Sequence, residues 1–157
     1  MKHLLISLIA ATAISAEAAR ATSLPILSPD KLESTLVTCI ELGFIEGCWR
    51  KNLEGNFDNK QPDAQMAITL SEKNYIGWLG GKRVFKVHHG PVEKAAGIFE
   101  SRAYIIERDD GELAGLVIGF RKTLGKWFLY ELNGSPSEEY IRSILNMRSK
   151  STKKTEE

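Results

Sequence analysis

The sequence predicts a mostly β, α+β domain. It has an N-terminal helix, a curled antiparallel meander sheet or up-and-down barrel of about six to eight strands, and a C-terminal helix. Three observations predict it. Leu32, Leu36, Val37 and Ile40 fall on one face at helical spacing. Residues 98–132 contain apolar runs interrupted by Asp110-Gly111 and Leu124-Gly125, which are hairpin turn signals. Both faces of those strands carry apolar residues, so the sheet must be covered by helices or curl around a core.

The chain opens with Met1-Lys2-His3, an apolar run from Leu4 to Ile14, and Ala16-Glu17-Ala18. A short basic start, an apolar stretch too short to span a bilayer, and small residues at the cleavage positions read as a secretory signal peptide over residues 1–18. The expectation is export, to a periplasmic or extracellular location, without stable membrane insertion. Residues 19–28 are small and polar, with Pro25, and read as a flexible leader.

A single domain is expected over 29–147. Ser28-Pro29-Asp30 supplies capping side chains and a first-turn proline for a helix over 30–42, and Gly43 supplies its stop. Residues 54–63 are rich in turn formers. Met66, Ile68 and Leu70 then alternate with Gln65, Ala67 and Thr69, which predicts a strand, followed by a turn at 72–74. Tyr75 to Leu79 reads as a short aromatic strand, Gly80-Gly81 as a tight turn, and Arg83 to His88 as a further strand. Residues 92–97 read equally as strand or helical turn. The meander runs through Ile98–Arg108, Leu113–Arg121 and Trp127–Leu132. Ser135-Pro136-Ser137-Glu138-Glu139 starts the last helix, whose stripe is Tyr140, Ile141, Ile144 and Leu145. Residues 148–157 are nearly all polar or charged and read as a disordered tail.

Cys39 and Cys48 are the only cysteines. An even count in an oxidising compartment favours a disulfide, with two buried free thiols as the alternative.

With 21 basic and 20 acidic residues and a net charge of +1, nothing marks a nucleic-acid partner. Phosphate-loop, dinucleotide and nucleophile-elbow motifs are absent from the sequence. His88 and His89 are adjacent, so on a strand they point to opposite faces and do not chelate one metal without distortion. Asp109, Asp110 and Glu112 cluster at a hairpin tip, where acidic residues satisfy turn geometry. The reading is a protein that is not an enzyme and uses no cofactor and no metal. Gly115 and Gly119 share one strand face and mark either a bend or room for a ligand.

Gly47-Cys48-Trp49, a long antiparallel meander and then Tyr140-Ile141-Arg142 together resemble the lipocalin-like (calycin) family. The resemblance implies a secreted barrel holding a small apolar molecule. It implies that Trp49, after Gly47, opens the first strand and plugs one end, with Arg142, or else Arg121, lying across it. The helix followed by a curved meander ending in Gly125-Lys126-Trp127-Phe128-Leu129 also resembles the NTF2-like (cystatin-like) cone. That cone needs two or three helices before its long strands, and reading 64–88 as strands favours the barrel.

Three function classes follow. The first is a carrier of a small hydrophobic molecule, held by Trp78, Phe85, Phe120, Phe128 and Tyr130 inside the curled sheet. The second is an exported protein-binding module of inhibitor or immunity type, whose partner is an envelope protein. The third is an envelope structural protein. A contiguous apolar cavity of about 300 Å³ or more favours the first.

Overall fold

The first helix forms where the sequence places its cap. In the computed structural model, which describes residues 24–56 and 64–151, α1 spans Pro29–Glu41. Ser28 accepts a hydrogen bond from the Lys31 N–H at 3.2 Å, and Pro29 occupies the first turn. Gly43, at φ +75°, ends it. A single 3₁₀ turn, Ile45–Gly47, and the short helix α2, Cys48–Leu53, follow.

This reversal is strained. Phe44 and Glu46 both take left-handed φ values, 60° and 55°, which side chains with a β carbon disfavour. Two features hold it. The Phe44 ring inserts into the core, 5.5 Å from the Trp49 ring edge-on and 5.3 Å from the Tyr75 ring in a stack. The Cys39–Cys48 disulfide, with Cα atoms 5.8 Å apart, ties the end of α1 to the start of α2.

Residues 64–79 correct the sequence reading. They form one helix, α3, Ala64–Leu79, and not two strands. Ile68, Tyr75 and Leu79 are buried, at helical spacing, while Met66 and Leu70 of the apparent alternation are exposed. Glu72-Lys73-Asn74 continues the helix instead of turning.

The sheet has four strands, not the expected six to eight. They are β1 Val84–Ala95, β2 Phe99–Arg108, β3 Leu113–Thr123 and β4 Lys126–Ser135. All neighbours are antiparallel, in the order β1-β2-β3-β4, so the sheet is an open meander and the closed barrel is excluded. The undecided stretch 92–97 resolves as β1 through Ala95 followed by a turn at Ala96 and Gly97. The last helix, α4, spans Glu138–Ser151 and runs past the expected tail boundary at 148. The expected signal peptide, residues 1–18, and residues 19–23 lie outside the described residues, as do 152–157 of the tail. Within the leader, Ile26 forms a bridge to Trp127.

Both sheet faces are covered, which explains why both are apolar. One face carries Val87, Tyr104, Ile106, Leu116, Ile118, Phe120 and Leu129 against Leu36 and Ile40 of α1, Trp49 and Leu53 of α2, and Ile68, Tyr75 and Leu79 of α3. The other face carries Ala103 and Val117 against Ile144 and Tyr140 of α4. Gly115 is required by that contact, since a β carbon there would stand 2.6 Å from Ile144 Cδ1. Gly119 faces Glu131 at a bulge, where a β carbon would meet Glu131 Cβ at 2.7 Å. Neither glycine makes room for a ligand.

A polar cluster interrupts the main core. The Arg102 side chain, 6% exposed, forms ion pairs with Glu100, Glu33 and Asp30. Tyr104 donates to Glu33 at 2.8 Å, and Lys94 pairs with Glu100 at 3.3 Å. The cluster fastens α1 to β2.

Candidate functional site

Among the described residues, one groove lies beside the sheet, between α3 and β4, and a second, more open hollow of about 310 Å³ lies at Asp30, Glu33, Val37 and His89. A groove of about 560 Å³ has Tyr75, Ala114 and Leu116 as its floor. Ser71, Asn74, Gly77 and Trp78 of α3 form one wall, and Leu132, Gly134 and Ser135 of β4 form the other.

Each wall is positioned by its neighbours. Tyr75 lies beneath Gly134, where a β carbon would collide with the Tyr75 hydroxyl, so glycine is needed for the helix to approach β4. The Tyr75 hydroxyl donates to the Gly115 carbonyl at 2.8 Å. Burial pushes its phenol above the usual tyrosine range, so it stays neutral. Ser71 is also committed: its hydroxyl donates to the Ile68 carbonyl and accepts from the Trp49 indole, both at 2.8 Å. Trp78 closes one end. The Arg108 guanidinium lies 5.1 Å from its ring centre and donates to its backbone carbonyl. Arg108 is itself held by Asp110 at 2.7 Å, and that hydrogen bond keeps the Asp110 carboxyl below its usual range.

Gly77 has no such structural reason. It sits in the middle of α3, where glycine costs roughly 1 kcal/mol relative to alanine. A β carbon there meets nothing within 4 Å. Its effect is to widen the groove between Asn74 and Trp78.

The residues expected to hold a ligand are dispersed. Trp78 lines the groove. Phe120 is buried in the main core. Phe85 is 70% exposed on β1. Phe128 pairs in register with Arg121, and Tyr130 lies edge-on to Phe99 at 5.9 Å with the Arg121 guanidinium 5.2 Å from its ring. That places both on the sheet face opposite the main core. Sequence reasoning missed Tyr75, Gly77, Leu132 and Gly134. The one available signal was Gly77 itself, hidden once the segment is read as a strand.

Gly47 and Trp49 lie at the start of α2 and not at the opening of a strand. Trp49 is fully buried and serves the core. Arg142 sits exposed on α4, paired with Glu138, and Arg121 lies on the opposite sheet face, so neither lies across Trp49. Cys39 and Cys48 are joined, as the even count favours. His88 and His89 pair separately, with Glu107 at 2.7 Å and Glu33 at 3.2 Å. No family model, curated protein or solved structure matches the chain.

Proposed function

We propose that this is an exported, non-enzymatic binding protein that holds a small apolar ligand in the groove between α3 and β4. The observation that carries the reading is Gly77: a helix-interior glycine with no packing role, set where its missing side chain enlarges a groove of about 560 Å³. That volume exceeds the roughly 300 Å³ at which ligand pockets begin. The groove lining offers hydrogen bonds already committed to the fold and a neutral phenol, with Lys73 as its one charged residue, which supports holding over chemistry. Export is supported by the disulfide. Among the described residues no helix is long and apolar enough to cross a membrane. Three helices ahead of a four-stranded meander favour the NTF2-like resemblance over the lipocalin-like one.

Native mass spectrometry of the mature protein from its exporting host tests the reading. The wild type carries extra mass that leaves on denaturation, and Gly77→Leu does not. The same adduct in both proteins, or a clean mass in both, contradicts it. The second reading, a protein-binding module, is favoured by the backbone edge that forms one wall of the groove.

A further inference from the structure

We propose that the two hairpin tips at one end of the sheet form a docking surface for an anionic phospholipid bilayer. The surface is separate from the groove, so it stands or falls independently of what the groove holds.

The meander places the β1–β2 and β3–β4 turns at the same end, and the Lys122 N–H donates to the Ile98 carbonyl at 2.7 Å, joining the two tips. The β3–β4 turn carries the argument. Leu124 and Gly125 take φ of +50° and +77°, the two-residue turn in which both central residues are left-handed. That turn favours Asn, Asp or Gly at its first position. Leucine is disfavoured there by its β carbon, and Leu124 is 96% exposed, so neither the backbone nor the core explains it. The β1–β2 turn repeats the pattern: Ala96 is left-handed at φ +50°, and exposed Ile98 follows two residues on. The bridge Ile26↔Trp127 brings Leu27, 78% exposed, to the same end. A single exposed aliphatic residue is ordinary, whereas three gathered at one end mark an interaction surface.

Charge names the partner. Residues 94–99 and 121–128, which make up both tips, hold Lys94, Arg121, Lys122 and Lys126 and no Asp or Glu, in a chain whose net charge is only +1. Lys94 is taken by Glu100 and the Arg121 guanidinium lies over Tyr130, so Lys122 and Lys126 are the cations that flank Leu124. Half-buried Trp127 stands just behind the tip, with Lys122 Nζ 5.6 Å from its ring centre, an amphipathic ring suited to headgroup depth. The turn at the far end of the sheet holds Asp109, Asp110 and Glu112. The domain thus turns an apolar, cationic end toward an anionic surface and an acidic turn away from it.

Shape separates a bilayer from a protein partner. The apolar side chains project from turn apices. A protein that buried them would need a fitted pocket for each tip. A bilayer accepts projecting side chains at any spacing. The docking is peripheral and reversible: a few aliphatic side chains enter the headgroup boundary, and among the described residues no helix is long and apolar enough to span.

Vesicle co-sedimentation of the purified, disulfide-bonded protein tests this, with mixed phosphatidylglycerol–phosphatidylcholine vesicles beside vesicles of phosphatidylcholine alone. The anionic vesicles should bind at least about tenfold more strongly, since each cation at an anionic leaflet contributes roughly fivefold. Lys122→Ser combined with Lys126→Ser should remove that preference. Leu124→Asn should weaken binding to the anionic vesicles at least about fivefold, the loss of one partly inserted aliphatic side chain. The same change should raise the thermal midpoint, because Asn-Gly suits the turn. A lowered midpoint overturns the proposal, since Leu124 would then serve the fold. Residues 4–14 hold an apolar run of their own, so dependence on Leu124 is the deciding readout. Binding that Leu124→Asn leaves within about twofold, or equal binding to both kinds of vesicle, overturns the proposal. So does binding to neither, which would assign the tips to an acidic protein surface.

Discussion

Arg102→Leu should destabilise the protein by about 3 kcal/mol. Arg102 is 6% exposed and faces three carboxylates. They are not equal. Asp30 is 84% exposed, and a pair with one partner in water contributes little. Glu100, 5% exposed, and Glu33, 18% exposed, decide the result. Stripping a buried pair of one partner costs about 3–5 kcal/mol, because the other charge stays desolvated. Lys94 on Glu100 and the Tyr104 hydroxyl on Glu33 offset part of this, which sets the estimate at the low end. Urea unfolding reads the loss, and adding Glu33→Gln and Glu100→Gln to Arg102→Leu should recover at least half of it. The difference should also depend on pH. The hydrogen bond and charge of Arg102 hold the Asp30 carboxyl below its usual range, so this contribution is present above about pH 4 and fades as pH falls through the lowered value. The gap between wild type and variant should therefore narrow only slightly from pH 5 to pH 2, by the small share that the exposed Asp30 pair contributes. A loss under about 1 kcal/mol at pH 7, or a gap that widens in acid, refutes the reasoning.

Other consequences are as direct. Trp49→Ala should cost about 3–5 kcal/mol, because Trp49 is a fully buried core residue hydrogen-bonded to Ser71; chemical unfolding checks it, and a loss under about 1 kcal/mol contradicts the placement. Reducing the Cys39–Cys48 disulfide should cost about 2–3 kcal/mol, the value for a short closed loop, seen as a lower urea midpoint in dithiothreitol. Gly77→Ala should stabilise α3 by about 0.5–1 kcal/mol in thermal unfolding, since its φ is ordinary and the space above it is open. A destabilising result there would mean that Gly77 serves packing and not the groove.

The sheet was legible where local rules dominate. Asp110-Gly111 and Leu124-Gly125 mark two of its turns, and in the structure Gly111 and Gly125 take φ of +87° and +77°. Ser28 and Pro29 announce α1, and the even count of two cysteines favours the pairing that the structure holds. The 64–79 segment was misread because Met66, Ile68 and Leu70 imitate a period of two. Its true buried face, Ile68, Tyr75 and Leu79, is diluted by exposed Met66, Leu70 and Ile76. Gln, Met, Leu, Glu and Lys there are good helix formers, and that propensity was the better guide. Counting this helix as strands inflated the sheet and made a barrel attractive. The groove was illegible for a second reason: Gly77 and Gly134 face it from elements far apart in the chain, and only tertiary packing of Tyr75 under Gly134 brings them together.

The most direct test of the central claim is an amide chemical-shift map of the protein titrated with anilinonaphthalene sulfonate. The account predicts shifts at Ser71–Trp78 and Leu132–Ser135 that Gly77→Leu abolishes. Shifts confined to Phe99, Phe128 and Tyr130, the aromatic group on the opposite sheet face, would contradict it.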